Sequence, residues 1–179
     1  MSAILNKLRK EERQCTVAVI QYERNDFSVG HEEQFHWALV AVVSKKDLSI
    51  RSVAWQVSDR HYSDGRPMEW ILHDNEVEVN KTFKCLGGVI LGQISEKDVD
   101  KARKLVRELQ QPKPKFQGWN CRDWVMEVIQ NIFIPNGWAA AGATSQRSLL
   151  PSLRSASRAS KSASQYHKRP MPQLVAFDP

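Results

Sequence analysis

The chain has 179 residues, a net charge of +6 and a pI of about 9.3, enough for one domain of ordinary size and some additional sequence. The charge is lopsided: from Thr144 onward six Lys/Arg face one acid, Asp178, which leaves 20 basic and 19 acidic residues before it. The high pI is therefore a property of the C-terminal part and says nothing about a basic binding face on the fold.

Three cysteines with no close pairing, and a polar start from Lys7 to Arg13 with no apolar stretch, predict free thiols, no secretory leader and an intracellular protein. The longest apolar run, 35–43, is broken by His36 and is too short for a membrane span, so no transmembrane segment is expected.

In chain order, residues 1–13 form a polar N-terminal segment. Residues 15–22 alternate well enough for a first strand, and 24–34 read as a charged loop. Residues 35–44 form a strong strand that is apolar on both faces, which predicts a central place in a sheet. A turn at Lys45-Lys46-Asp47 leads to a strand over 50–58, and a hairpin centred on Lys46 sets His36 opposite Gln56 on one face. Two short strands, 69–73 and 76–79, and a glycine-containing strand over 87–94 follow.

Ser95 with Asp98 resembles a capping box for a helix whose buried stripe is Val99, Ala102, Leu105, Val106 and Leu109. Pro112, Pro114 and Gly118 then keep the chain from being helical until Asn120. From there the apolar pairs Trp124/Val125, Val128/Ile129 and Ile132/Phe133 mark a second helix with one buried side, ending near Pro135-Asn136-Gly137. After Thr144 eight serines between Ser145 and Ser164, with scattered Arg/Lys, predict a disordered Ser/Arg-rich tail. The expected organisation is therefore an N-terminal segment 1–13, an α+β domain 14–140 with an antiparallel sheet packed by helices, and a basic tail 141–179.

Three residues carry the candidate chemistry. Cys121 is the first residue of the second helix, where the positive end of the helix dipole favours a thiolate. His36 is the base that would deprotonate it, and Gln56 would orient the imidazole, completing a catalytic set of Cys121, His36 and Gln56. Asn120 reads first as the helix N-cap. Trp37, Trp119 and Asn120 are the candidate substrate-binding residues, with Trp119 as a cleft wall. Taken singly, each has a structural reading as well: a small apolar cysteine, a core histidine, a polar sheet-end residue, packed indoles. The histidines and cysteines show no metal-ligand spacing, so neither a metal nor another cofactor is expected.

The blocks Phe35-His36-Trp37-Ala38-Leu39 and Asn120-Cys121-Arg122-Asp123-Trp124-Val125 resemble the two signature blocks of the lecithin:retinol acyltransferase-like proteins, circularly permuted relatives of papain-fold cell-wall peptidases. The chain also resembles an uncharacterised group of fungal proteins with the same His-Trp and Cys-x-x-Trp blocks. The first resemblance implies a papain-like fold in permuted order, with Cys121 as nucleophile, and a peptide, isopeptide or acyl substrate. Gln56 stands where that branch often has a second His, and no long apolar anchor follows the Cys helix. Two functions follow: a thiol hydrolase or acyltransferase, and a non-catalytic binding module with a Trp-lined groove. In either, the basic tail would meet RNA, DNA or anionic lipid by charge, or a kinase at Arg154-Ser155-Ala156-Ser157 and Arg158-Ala159-Ser160.

Overall fold

A computed structural model describes residues 12–46 and 49–178. The expected N-terminal segment up to residue 11 and the hairpin turn at 47–48 lie outside the described residues. Among the described residues six strands form one mixed sheet: β1 (Gln14–Tyr22), β2 (His36–Lys46), β3 (Ser49–Arg60), β4 (Glu69–Glu78), β5 (Cys85–Ser95) and β6 (Leu174–Ala176). Their order is β4-β3-β2-β1-β5-β6, antiparallel throughout except for the parallel β5/β6 pair. Three α-helices accompany them: α1 (Val99–Leu109), α2 (Cys121–Val128) and α3 (Gln146–His167). The protein is thus α+β, with β2 inside the sheet as its two apolar faces require.

The alternation of β2 decides which side meets which layer. Phe35, Trp37, Leu39 and Ala41 join Trp55, Val57 and the buried residues of α1 and α2 in the main core. Ala18, Ile20, Val40, Val42 and Ala54 form a second cluster on the other face. α2 continues into a wider π-helical turn, Ile129–Phe133, in which the Ile134 amide donates to the Ile129 carbonyl at 2.8 Å. The extra residue keeps Ile129, Ile132 and Phe133 all buried, with Phe133 edge-on to both Trp55 and Trp138 at 5.5 Å between ring centres.

Several expectations need correction. Residues 69–78 form one strand rather than two, because β3 pairs with them without a break. Ser95 makes no cap bond; its hydroxyl donates to Glu12 instead, at 2.6 Å, and a 3-10 turn over Glu96–Asp98 precedes α1. Leu109 is 66% exposed, so the stripe of α1 ends at Val106.

The largest correction concerns the tail. Residues 146–167 are a 22-residue helix, capped by Ser145, whose hydroxyl accepts the Ser148 amide at 3.1 Å. Its buried residues are Leu149, Ser152, Leu153, Ala156, Ser157, Ser160 and Ser164, a stripe at helical spacing in which serine supplies the small side chains. Three of the four serine hydroxyls are used. Ser160 accepts the Gln173 amide and Ser164 the Met171 amide, each at 2.8 Å, which steers the chain back to lay β6 against β5. The polar composition is therefore compatible with a packed helix, because Ser157, Ser160 and Ser164 in the buried stripe each find a hydrogen-bond partner. No described helix is long and apolar enough to cross a membrane.

Candidate functional site

The β2/β3 ladder runs from Lys46–Ser49 to Leu39–Trp55 and stops there, while β3 continues alongside β4 to Arg60. The first residues of β2 are thus released from β3. In the opening lies the start of α2, fixed by a reciprocal cap: Asn120 Oδ1 accepts the Arg122 amide at 3.0 Å, and Asp123 Oδ2 accepts the Asn120 amide at 2.9 Å. Arg122 Nη1 donates to the Phe35 carbonyl at 3.1 Å, tying the helix start to the residue before His36.

This arrangement brings the Cys121 thiol and the His36 imidazole close enough to act on each other's titration. Gln56 Oε1 lies 2.7 Å from His36 Nε2, which leaves Nδ1 for the thiol. The Trp37 amide, outside the β2/β3 ladder, also favours the charged form of Cys121. The observed register differs from the expected one by two residues, with a bulge between Val42 and Ser44. A shift of two preserves the face, so Gln56 reaches His36 diagonally instead of directly.

Burial is the largest influence on the thiol and pushes it up. The His36 hydrogen bond and charge, the Trp37 amide and Arg122 outweigh it, and the thiol sits below its ordinary value. For His36 burial again comes first and pulls it down. The Cys121 hydrogen bond and charge and the Gln56 bond overcome burial and Arg24, and the imidazole is raised. The two shifts run in the directions that favour charge on both partners. The other cysteines are buried and pushed up, Cys85 to about 12 by desolvation.

The Cys121 amide takes no acceptor among the described residues, so it is available to an oxyanion forming beside the sulfur. Asn120 is committed as a cap, and its Nδ2 donates to the Gly118 carbonyl at 3.0 Å. The expected indole wall is not there. Trp37 is 0% exposed and belongs to the core; Trp119 is 4% exposed, bonded to Glu127 at 2.8 Å and edge-on to Trp70. Cys121 itself is 4% exposed. Of the six tryptophans only Trp70 is outside the buried set. A groove of about 560 Å³ beside β4, lined in part by Trp70, His73, Arg107 and Gln111, includes neither Cys121 nor His36.

Arg122 and Tyr22 were missed in the sequence. Tyr22 pairs with His36 across β1/β2, with ring centres 6.2 Å apart. Arg122 stands inside the Asn-Cys-Arg-Asp-Trp block, a position from which it reaches the Phe35 carbonyl ahead of β2. Among the described residues no group of three His, Cys, Asp or Glu is arranged to hold a metal ion.

Fold and site together define an α+β protein with a buried Cys–His–Gln constellation at the junction of sheet and helix. The chain belongs to a family of unknown function, DUF6914, whose model matches residues 15–146 and so spans His36, Gln56 and Cys121. No curated protein and no solved structure matches it.

Proposed function

We propose that this protein is a cysteine-dependent hydrolase or acyltransferase with a permuted papain-like arrangement, acting on an amide, ester or thioester carbonyl. What supports the reading is Cys121 at the capped start of α2, coupled to His36, whose Nε2 lies 2.7 Å from Gln56 Oε1. The Cys121 thiolate adds to the carbonyl carbon, and the C–S bond forms as the carbonyl electrons move onto oxygen beside the Cys121 amide. Collapse breaks the bond to the leaving group, which takes its proton from the His36 imidazolium. Neutral His36 then removes a proton from water or an acceptor as that attacks the acyl-Cys121 thioester. Expulsion of the thiolate restores the ion pair.

A catalytically silent binding module is the second reading, favoured by the 4% exposure of Cys121. Incubation with an activated acetyl ester and an acetyl thioester, followed by mass spectrometry of the Cys121 peptide, separates the two. The enzyme reading requires an acetyl group on Cys121, formed roughly 10²-fold or more slowly in His36→Ala. Absence of that adduct from the folded wild-type protein rejects it.

A further inference from the structure

α3 touches both elements that deliver the reactive pair. At its first residue Gln146 Nε2 donates to Asp123 Oδ1 at 2.6 Å, while the other oxygen of Asp123 caps the helix that starts at Cys121. Two to three turns further on, Ser157 Oγ donates to Glu32 Oε1, which also accepts the Gly30 amide at 3.0 Å. Arg154 faces both Glu32, at 3.7 Å, and Glu33, at 3.4 Å. Glu32 is 0% exposed and opens the 3-10 turn Glu32–Gln34, which runs directly into Phe35 and His36.

A buried carboxylate costs several kcal/mol of desolvation, and an apolar residue would seat the same turn without it. What the carboxylate adds is direction: a fixed set of donors that admits one orientation of the turn. We propose that α3 is a brace for the reactive pair, with Glu32 and Asp123 as positioning residues that set His36 and Cys121 against each other. The brace rests on the thiolate–imidazolium reading of the site. It also gives α3, which begins where the family match ends, a role beyond covering β5.

The test is the pH profile of Cys121 alkylation by iodoacetamide, resolved by peptide mass so that Cys15 and Cys85 are followed separately. Wild type is compared with Ser157→Ala/Gln146→Ala, which unpins both contacts while leaving Glu32 and Asp123 in place. Leu153→Ala serves as a control that weakens the packing of α3 without touching either contact. The brace predicts that the double variant raises the alkylation midpoint and slows labelling at pH 6 by about fivefold or more, whereas Leu153→Ala keeps the wild-type midpoint. A double-variant profile that overlays wild type overturns the proposal, as does an equal shift in Leu153→Ala. An ordinary-thiol midpoint already present in wild type would instead reject the ion pair itself, before any variant is compared.

Discussion

Gln56 Oε1 lies 2.7 Å from His36 Nε2 across the open end of the β2/β3 hairpin, beyond the last pair of the ladder. The bond raises the imidazole, so its loss lowers His36 and removes cation from beside the thiol. Gln56→Ala should cost about 1.5–3 kcal/mol of the interaction with the charged ring. It should slow Cys121 alkylation at neutral pH by about tenfold or more. Stopped-flow alkylation of the variant, set beside its thermal midpoint, checks whether the effect is local.

The two partners also report on each other. His36 is raised chiefly because Cys121 overcomes the burial that would pull it down. A raised folded-state value means that the stability linked to His36 is complete below pH 6.5 and is lost as pH rises through the folded value. Cys121, being lowered, contributes above the ordinary thiol range and loses that contribution as pH falls through its folded value. Cys121→Ala removes the first two supports of the imidazolium, so the His36 titration followed by NMR should move to lower pH than in wild type. An unchanged His36 titration would mean that the pair is not coupled.

Access to the thiol is narrow. With Cys121 and Trp119 each 4% exposed, labelling should depend on reagent size more steeply than for a free thiol of equal acidity. Iodoacetamide and a bulky aryl maleimide, each referenced to a small thiol, give the comparison. Equal relative rates would require an open site.

The helix at the C-terminus also sets where modification can occur. Ser157 and Ser160 are 0% exposed, whereas Ser155 is exposed on the same helix. A basophilic kinase acting on the folded protein should therefore phosphorylate Ser155 and spare Ser157 and Ser160, as phosphopeptide mapping before and after denaturation would show.

Gly87 tests the packing of the same region. Its φ is +72°, and a Cβ there would run into the Gln173 backbone and the Ser160 hydroxyl. Gly87→Ala should destabilise the protein by roughly 2–4 kcal/mol, read as a lower denaturant midpoint at unchanged slope.

Much of this was legible in the residues. The two-sided apolar pattern of 35–44 placed β2 inside the sheet, and the Asn120 cap located the start of α2 to the residue. His36 and Gln56 came out on one face because face depends only on parity, which the bulge-shifted register preserved. What escaped were features set by tertiary partners. Serine at buried positions of α3 looks like linker composition until Glu32, Gln173 and Met171 arrive to take its hydroxyls. The indoles of Trp37 and Trp119 looked like a cleft because their number is visible in the sequence and their burial is not. Leu109 extended the stripe of α1 only because nothing local marks where that helix leaves the core.

The central claim is that Cys121 and His36 form a thiolate–imidazolium pair. It is tested most directly by the pH dependence of Cys121 alkylation in wild type and in His36→Ala, with Cys15 and Cys85 as internal references. The account predicts a wild-type midpoint well below the ordinary thiol value of about 8.5, and labelling much faster than at Cys15 or Cys85. In His36→Ala burial alone remains as the leading influence, and the midpoint should rise past that of a free thiol. A wild-type midpoint at or above that of a free thiol, unmoved by His36→Ala, would contradict the account and leave Cys121 a packed structural cysteine.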